Sequence, residues 1–548
     1  MKLRVSVLLT IVVVLGSFLR LWQLGKNPPG FYSDEALYGY EAYSLLKTGR
    51  DQFGNFLPIS IAGFGDYRPA LYIYSTIPFI AIFGLTEFAT RLPSAMFSIF
   101  TLIATFFMVR NLSRSNRAGL LATILMVLSP WSLFFGRMAH ETNLVTFFIA
   151  SGVFFLSRFR KCNFCIIPAS LAFVASLYTY HSARVFVPLF LLAAFFIGRN
   201  QSKKKLKWMI VGGVVFGLLC IPLASEFTSG IGWSRVRGVS LWSDPGLLPR
   251  INDTRGKLQQ TIGSVKAKLL INKVTVFSWE LVKNYGSHFT KEFLITRGDP
   301  NGVYNTPRTG ILLWSELVLI PLGLAVLWKK QRKLFWLCCT VILFGLLPDS
   351  LTRLSPSSAR IHLLLPFTVL IGGVGWRYVL KKSRLAFLGI GLVTTLSSLW
   401  FWHNYLVVLP KENTRAWQLG VKEMIYKAQE FSPQYERIWI SRKGWGWIHL
   451  VFHTKYDPSI LQKEIKIVEI NDLGFWWVRD LGKYHLEWFD QPLELSKGTL
   501  YIGTPDEFEG TKPKYIIKDQ FGTQRYWFID SVDQVPVVLP SEKNESYL

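Results

Sequence analysis

The strongest limit on how this chain can fold is the recurrence of apolar runs of roughly 17–22 residues, the helix length that crosses ~30 Å of hydrocarbon. They fall near 5–24, 89–109, 118–137, 142–157, 164–180, 184–198, 208–225, 310–327, 334–350, 361–379 and 385–405. The pattern predicts a polytopic α-helical membrane protein with about eleven transmembrane helices, rather than the several soluble domains expected of 548 ordinary residues. Only Lys2 and Arg4 precede the first run, and no A-x-A cleavage site follows it. It is therefore read as a retained span and not a signal peptide.

Charge sets the expected topology. The formal net charge is +26, but the basic residues gather in bursts between apolar runs: "RNLSRSNR" (110–117), "RFRK" (158–161), "GRNQSKKKLK" (198–207), "WKKQRK" (328–333) and "RYVLKKSR" (377–384). By the positive-inside rule these are cytoplasmic turns of a cell-membrane protein and not a nucleic-acid surface. The run "RPALYIYSTIPFIAIFGL" (68–85) is the ambiguous one. Were it to cross, all five bursts would lie outside, so it is predicted to lie along the membrane surface. The N-terminus is then cytoplasmic, and the loops 25–88 and 226–308, the turns at 138–142, 180–184 and 350–360, and the tail from about 406 are extracytoplasmic.

The expected division is a transmembrane domain over 1–405 and a small external α/β domain over 406–548. The tail opens on the helical pattern "NTRAWQLGVKEMIYKAQEF" (413–431) and continues through the strand-like "RIWIS", "GTLYIG" and "KYIIKD". Its last residues, "SEKNESYL", read as a frayed end. Cysteine is uninformative: Cys162 and Cys165 form a lone CxxC without a second pair for zinc, and Cys220, Cys338 and Cys339 lie in apolar spans.

Sorted by this topology, the polar motifs gather at the external face. Asp34 and Glu35 follow the first span and open an amphipathic, tyrosine-rich segment. They can serve as a general base or metal ligands, or be the acidic first turn of a solvated helix capped by Ser33. In "RMAHETN" (137–143), His140 and Glu141 sit where an acceptor or a metal could bind, or simply end a helix. "YTYHSAR" (178–184) holds Arg184, a phosphate ligand or a snorkelling cation. "TRGDPNGVYNTPRTG" (296–310) is turn-rich, and "LTRLSPSSARIHLLLPF" (351–367) places Arg353, Arg360 and His362 against the inside-positive trend, where pairing with a phosphate is the natural reason. No Walker loop, dinucleotide fingerprint or serine-hydrolase context is present, so no nucleotide is expected.

The order of first span, Asp34–Glu35, "EAYSLLKTG", "RPALYIYSTIPFIAIFGLTEFATRLPSA" and an acid at the third span's end resembles the GT-C class of membrane glycosyltransferases. The resemblance is to the protein O-mannosyltransferase and aminoarabinose transferase group, including RgtA/B/C/D-like bacterial members. It is specific over about residues 20–190 and fainter over 290–380, where "GDPN" and "PSSAR" resemble motifs of bacterial relatives. Val303–Tyr304 and Ser357–Ser358 stand here in place of the relatives' Arg-His and His positions.

The resemblance implies a GT-C fold and an inverting transfer of a sugar from a polyprenyl-phosphate donor to an acceptor glycan, lipid or protein. Asp34 then matches the catalytic base, Glu35 its acidic neighbour, and Glu141 the acid of the second external turn. Arg360, Arg184, Arg68 and His362 are the candidates for the lipid phosphate. No cofactor is certain, although Asp34 and Glu141 could hold Mg²⁺ or Mn²⁺. The rival from another class, a transporter or flippase of lipid-linked sugars, would carry its ionisable residues nearer the membrane midplane.

Overall fold

The computed structural model describes residues 2–198, 203–444, 446–469, 476–489, 495–508 and 510–530. The predicted loose end "SEKNESYL" and residues 199–202 of the third basic burst lie outside them. In chain order come α1 (Lys2–Leu21), α2 (Ser33–Thr48), strands β1 (Ser60–Ala62) and β2 (Tyr67–Pro69), α3 (Leu71–Phe83), α4 (Glu87–Ser113), α5 (Asn116–Leu128) and α6 (Pro130–Phe135). Then follow α7 (Thr142–Arg158), α8 (Ile166–Leu177), α9 (His181–Gly198) and α10 (Lys203–Thr228). The segment read as a long loop is mostly helical, with α11 (Ile231–Val239), α12 (Leu247–Ile262), α13 (Ser264–Leu270) and α14 (Lys273–Ser287). The apolar pattern resumes with α15 (Glu316–Lys330), α16 (Arg332–Ser350), α17 (Leu365–Lys382) and α18 (Arg384–His403), before the short α19 (Leu409–Glu412).

Two compact units form. The first comprises Met1–Leu24, Ile59–Tyr72 and Arg91–Leu409; the second comprises Gly25–Pro58, Ile73–Thr90 and Pro410–Leu548. The division differs from a cut at 405, because most of the first loop folds with the tail.

In the first unit every predicted apolar run contains helix, and the stretches Arg4–Leu21, Glu87–Ser113, Lys205–Thr228, Arg332–Ser350, His362–Lys382 and Arg384–Glu412 are long and apolar enough to cross a membrane. The others are shorter, for local reasons. The run at 118–137 breaks at Ser129, whose hydroxyl accepts from Ser132 N to cap α6, with Pro130 at the helix start where its missing N–H costs nothing. The centre of the unit is α17, which packs on α5 and α15. A Cβ at Gly373 would meet the α5 backbone at Ala118 O and Ala122 N, and one at Gly375 would meet Leu319 O of α15. Small residues permit this close approach, which replaces hydrophobic driving force between lipid-embedded helices.

Two buried arginines fasten the end of α1. Arg20 donates to Ser98 Oγ (2.7 Å) and Ser132 Oγ (2.6 Å). Arg137 donates to the carbonyls of Leu19 and Trp22 (2.7 Å each), which satisfies orphan groups at a helix C-terminus.

The second unit is α/β. Its carboxy-terminal part comprises α20 (Val421–Phe431), β3 (Arg437–Ile440), α21 (Gly446–His453), α22 (Pro458–Glu464), β4 (Ile467–Glu469), β5 (Trp476–Val478), β6 (Asp480–Leu481), β7 (Tyr484–Leu486), β8 (Thr499–Gly503), β9 (Tyr515–Lys518) and β10 (Gln524–Ile529). A six-stranded sheet runs β6–β7–β3–β8–β10–β9, with β4 and β5 paired separately. β3 is parallel to β7 and β8, and the other pairs are antiparallel. β8 is buried at all five positions, with Leu500, Tyr501 and Ile502 at its centre.

The tyrosine-rich segment is not the half-exposed amphipathic helix that its pattern suggests. α2 buries eleven of its 16 residues and packs on α21 and α22. Tyr40 donates to Tyr456 O (3.0 Å), and Gln462 Nε2 donates to Thr48 Oγ1 (3.1 Å) and Asp51 O (2.9 Å). α3, the helix of the ambiguous run, has 13 residues and so spans roughly 20 Å, short of a bilayer crossing.

Candidate functional site

The two motifs "GDPN" and "PSSAR" meet in the first unit. Asp299 Oδ2 accepts from the Ser358 backbone N–H (2.6 Å) and hydroxyl (2.9 Å), while Oδ1 accepts from Asn301 N (2.9 Å) in an Asx turn. Burial pushes the Asp299 carboxyl up to about 6, against the pull of these hydrogen bonds.

Asp349, at the end of α16, is the second node. Its Oδ2 accepts from Ser357 N (2.8 Å) and Ser355 Oγ (2.9 Å) and pairs with His288 Nε2 (2.8 Å), and its Oδ1 binds Arg360 Nη1 (2.9 Å). That same Arg360 nitrogen also donates to Thr352 Oγ1 (2.8 Å) and Leu354 O (2.7 Å). Among the described residues its Nε and Nη2 donors bind nothing, and the side chain is 15 % exposed. Arg360 is thus oriented by one nitrogen while the others remain available.

The Tyr180 hydroxyl shows what else converges here. Burial raises it above the ordinary phenol value, Arg360 and Arg235 oppose that rise, and Glu141 and Asp349 reinforce it. Glu141 and His140 are buried side by side (3.5 Å). The His140 ring lies edge-on to Tyr180 (5.8 Å) and Tyr304 (5.3 Å), so a position where relatives' histidine is replaced still lines the cluster.

The other expected phosphate-binding arginines face acids, and His362 is enclosed. Arg184 pairs with Glu226 (3.3 Å) and donates to Leu177 O. Arg68 lies 3.5 Å from Asp66, which also pairs closely with Arg235 from α11. The two guanidiniums hold the Asp66 carboxyl well below its usual range despite its burial. His362 is enclosed by Trp131 and Phe135, with Nδ1 against Thr146 Oγ1 (2.8 Å).

Asp34 and Glu35 belong to the second unit. They stand in the first turn of α2, Asp34 half-buried and Glu35 fully buried. Ser33 is not the cap: Tyr32 holds the N-cap position, and the Ser33 hydroxyl is taken by Gln418 (Nε2 to Oγ 2.7 Å). Gln418 Oε1 is in turn 2.6 Å from His449 Nε2. A residue from the tail thus fixes the start of the helix bearing both acids, a long-range link that no local pattern signals.

Asp299, Asp349, Asp66 and Arg235 were not singled out from sequence. Asp299 lay in a quoted motif, and the others lacked any local signal. Among the described residues no three His, Cys, Asp or Glu side chains cluster as a metal site.

Residues 10–227 match the family described as dolichyl-phosphate-mannose-protein mannosyltransferase, PMT. Among solved structures the chain is similar to ArnT from Cupriavidus metallidurans bound to undecaprenyl phosphate, at 12% identity and TM-score 0.54, covering 95% of this chain and 97% of that one. The apo form of the same protein matches at 13% identity and TM-score 0.50, with the same coverage. The oligosaccharyltransferase AglB from Archaeoglobus fulgidus matches at 13% identity and TM-score 0.46, over 82% of this chain and 64% of that one. No curated protein matches in sequence. The chain has the ArnT-like GT-C fold, and its family match makes it a glycosyltransferase.

Proposed function

We propose that this GT-C-fold glycosyltransferase takes a sugar from a polyprenyl-phosphate carrier and passes it, with inversion, to a hydroxyl acceptor at the external face of the membrane. The observation that carries the reading is Arg360, held from behind by the buried Asp349 with two guanidinium donors unengaged among the described residues. A preorganised guanidinium of this kind suits a phosphate oxygen, and the similar structure with undecaprenyl phosphate supports a lipid phosphate as its ligand.

The chemistry needs one base. The acceptor oxygen attacks the anomeric carbon, its proton passes to the Asp34 carboxylate, and the bond from that carbon to the phosphate oxygen breaks. Polyprenyl phosphate leaves as a stable anion, so it needs charge stabilisation from Arg360 rather than a general acid. A single displacement inverts the centre, unlike the two-carboxylate route of retaining glycosidases. Glu35 sets the field beside Asp34, and Glu141 and His140 face the acceptor.

The test reconstitutes the full-length protein with host membrane extract and radiolabelled polyprenyl-phosphate sugars, comparing wild type with Asp34→Asn. Label should move from lipid to a glycan, lipid or protein acceptor in wild type, and fall by about 10²–10⁴-fold in the variant. Sugar that only changes leaflet, equally in both proteins, would sink the transferase reading and favour a flippase.

A further inference from the structure

The first unit holds a cavity of about 1830 Å³ at the basic ends of α4, α7, α10, α15 and α16. It is distinct from the Asp349–Arg360 cluster. Arg332 begins α16 and Asp349 all but ends it, so at 1.5 Å per residue the two are roughly 25 Å apart along one helix.

Among the described residues eight arginines and lysines line this cavity and no Asp or Glu does. Arg110, Arg114, Arg158, Arg160, Lys330 and Arg332 are among them, and among the described residues none of the eight pairs with an acid. Some rest on aromatic faces instead, Arg332 over Trp328 (5.0 Å) and Arg110 over Phe107 (5.9 Å). Deeper in, the walls turn apolar with Phe107, Phe154, Phe190 and Phe216.

A basic turn explains cations on a membrane surface, but not a chamber of this size behind them. A drug-sized ligand occupies about 300–1,000 Å³, whereas this volume with a charged mouth and a greasy interior matches a headgroup with attached chains. We propose that the cavity is a binding site for an anionic glycerophospholipid, its phosphate among the arginines and an acyl chain in the aromatic interior. Basic pockets between membrane helices are suited to such headgroups, each cation adding to the attraction.

Gly213 gives a way to separate cavity entry from surface attraction. It lines the cavity, and a Cβ there meets nothing within 4 Å, so Gly213→Trp fills the chamber while leaving the arginines in place. The full-length protein, purified in detergent, is mixed with equal phosphatidylglycerol and phosphatidylcholine, and retained lipid is read by native mass spectrometry. Wild type should retain phosphatidylglycerol about tenfold over phosphatidylcholine, given the contribution of each cation. Both Gly213→Trp and the triple variant Arg158→Gln/Arg160→Gln/Arg332→Gln should lose that excess with unchanged helical content.

Equal retention of the two lipids by wild type would overturn the proposal. So would wild-type retention of phosphatidylglycerol by a folded Gly213→Trp, since the chain would then not enter the cavity. If Gly213→Trp does not fold, the smaller Gly213→Leu is read in the same way, and the triple variant tests the headgroup contacts independently.

Discussion

Asp66 in the first unit and Glu41 in the second are both carboxylates in protected positions outside the predicted spans, and the fold treats them in opposite ways. Asp66 sits between Arg68 and Arg235, which hold it in the charged form. Glu41 is fully buried and, among the described residues, has no cation: one oxygen accepts from Gln52 N (3.1 Å) and the other, Oε1, accepts nothing. Burial first, and then Asp51, raise its carboxyl well above the usual range. The difference teaches that burial alone does not decide the state of an acid. Desolvation favours the neutral form everywhere, and it takes a nearby cation or enough donated hydrogen bonds to outweigh it.

Four substitutions break or sharpen this contrast. Asp349→Ala removes an acid with four hydrogen-bonding partners and strands His288 and Arg360, so it should cost about 3–5 kcal/mol in unfolding assays in detergent. A loss below about 1 kcal/mol would show that water replaces the carboxylate there, and that the cluster is wetter than its burial indicates.

Asp299→Asn tests an acid held by hydrogen bonds alone. Its folded value of about 6 exceeds the unfolded value of about 3.9, so the folded state binds more protons between them and stability falls as pH rises from 4 to 6. Relative to the Asn variant, wild type should lose up to about 3 kcal/mol over that window. A pH-independent difference would mean that Ser358 and Asn301 keep the group ionised throughout.

Asp66→Asn should destabilise by about 1–3 kcal/mol at neutral pH, less than Asp349→Ala because Arg235 is partly exposed. The folded carboxyl is depressed, so this stability is present above about pH 4 and lost as pH falls further; thermal scans of the two proteins should then converge. Glu41→Gln carries the opposite sign. At pH 7 it should be neutral or stabilising, with the advantage growing as pH rises from 4, because the variant never has to ionise. A marked loss in Glu41→Gln would show a cation reaching this carboxylate and dissolve the contrast.

Much of the scaffold was legible because membrane burial writes itself locally. Every apolar run carries helix, and the strand-like pieces "RIWIS", "GTLYIG" and "KYIIKD" contain β3, β8 and β9. The length criterion was harder to read, since Ser129–Pro130 divides one run into two helices. The motifs at 296–310 and 351–367 were visible as motifs, yet the bond from Asp299 to Ser358 joins residues 59 positions apart and has no periodic trace. Arg184 and Arg68 looked like Arg360 in sequence. Arg184 differs because Glu226 arrives from a distant segment, and Arg68 because Asp66, two residues before it, lies against its guanidinium.

Sequence by itself therefore determined the membrane class, the placement of the apolar helices and the two acids at the start of α2, since apolar length and residue order are properties of contiguous chain. Only tertiary structure decided that the first loop folds with the tail, that Gln418 rather than a capping bond takes the Ser33 hydroxyl, and that Arg360 keeps two donors unengaged among the described residues. Those outcomes depend on which distant group desolvates or neutralises each polar atom, and that partner is chosen by packing.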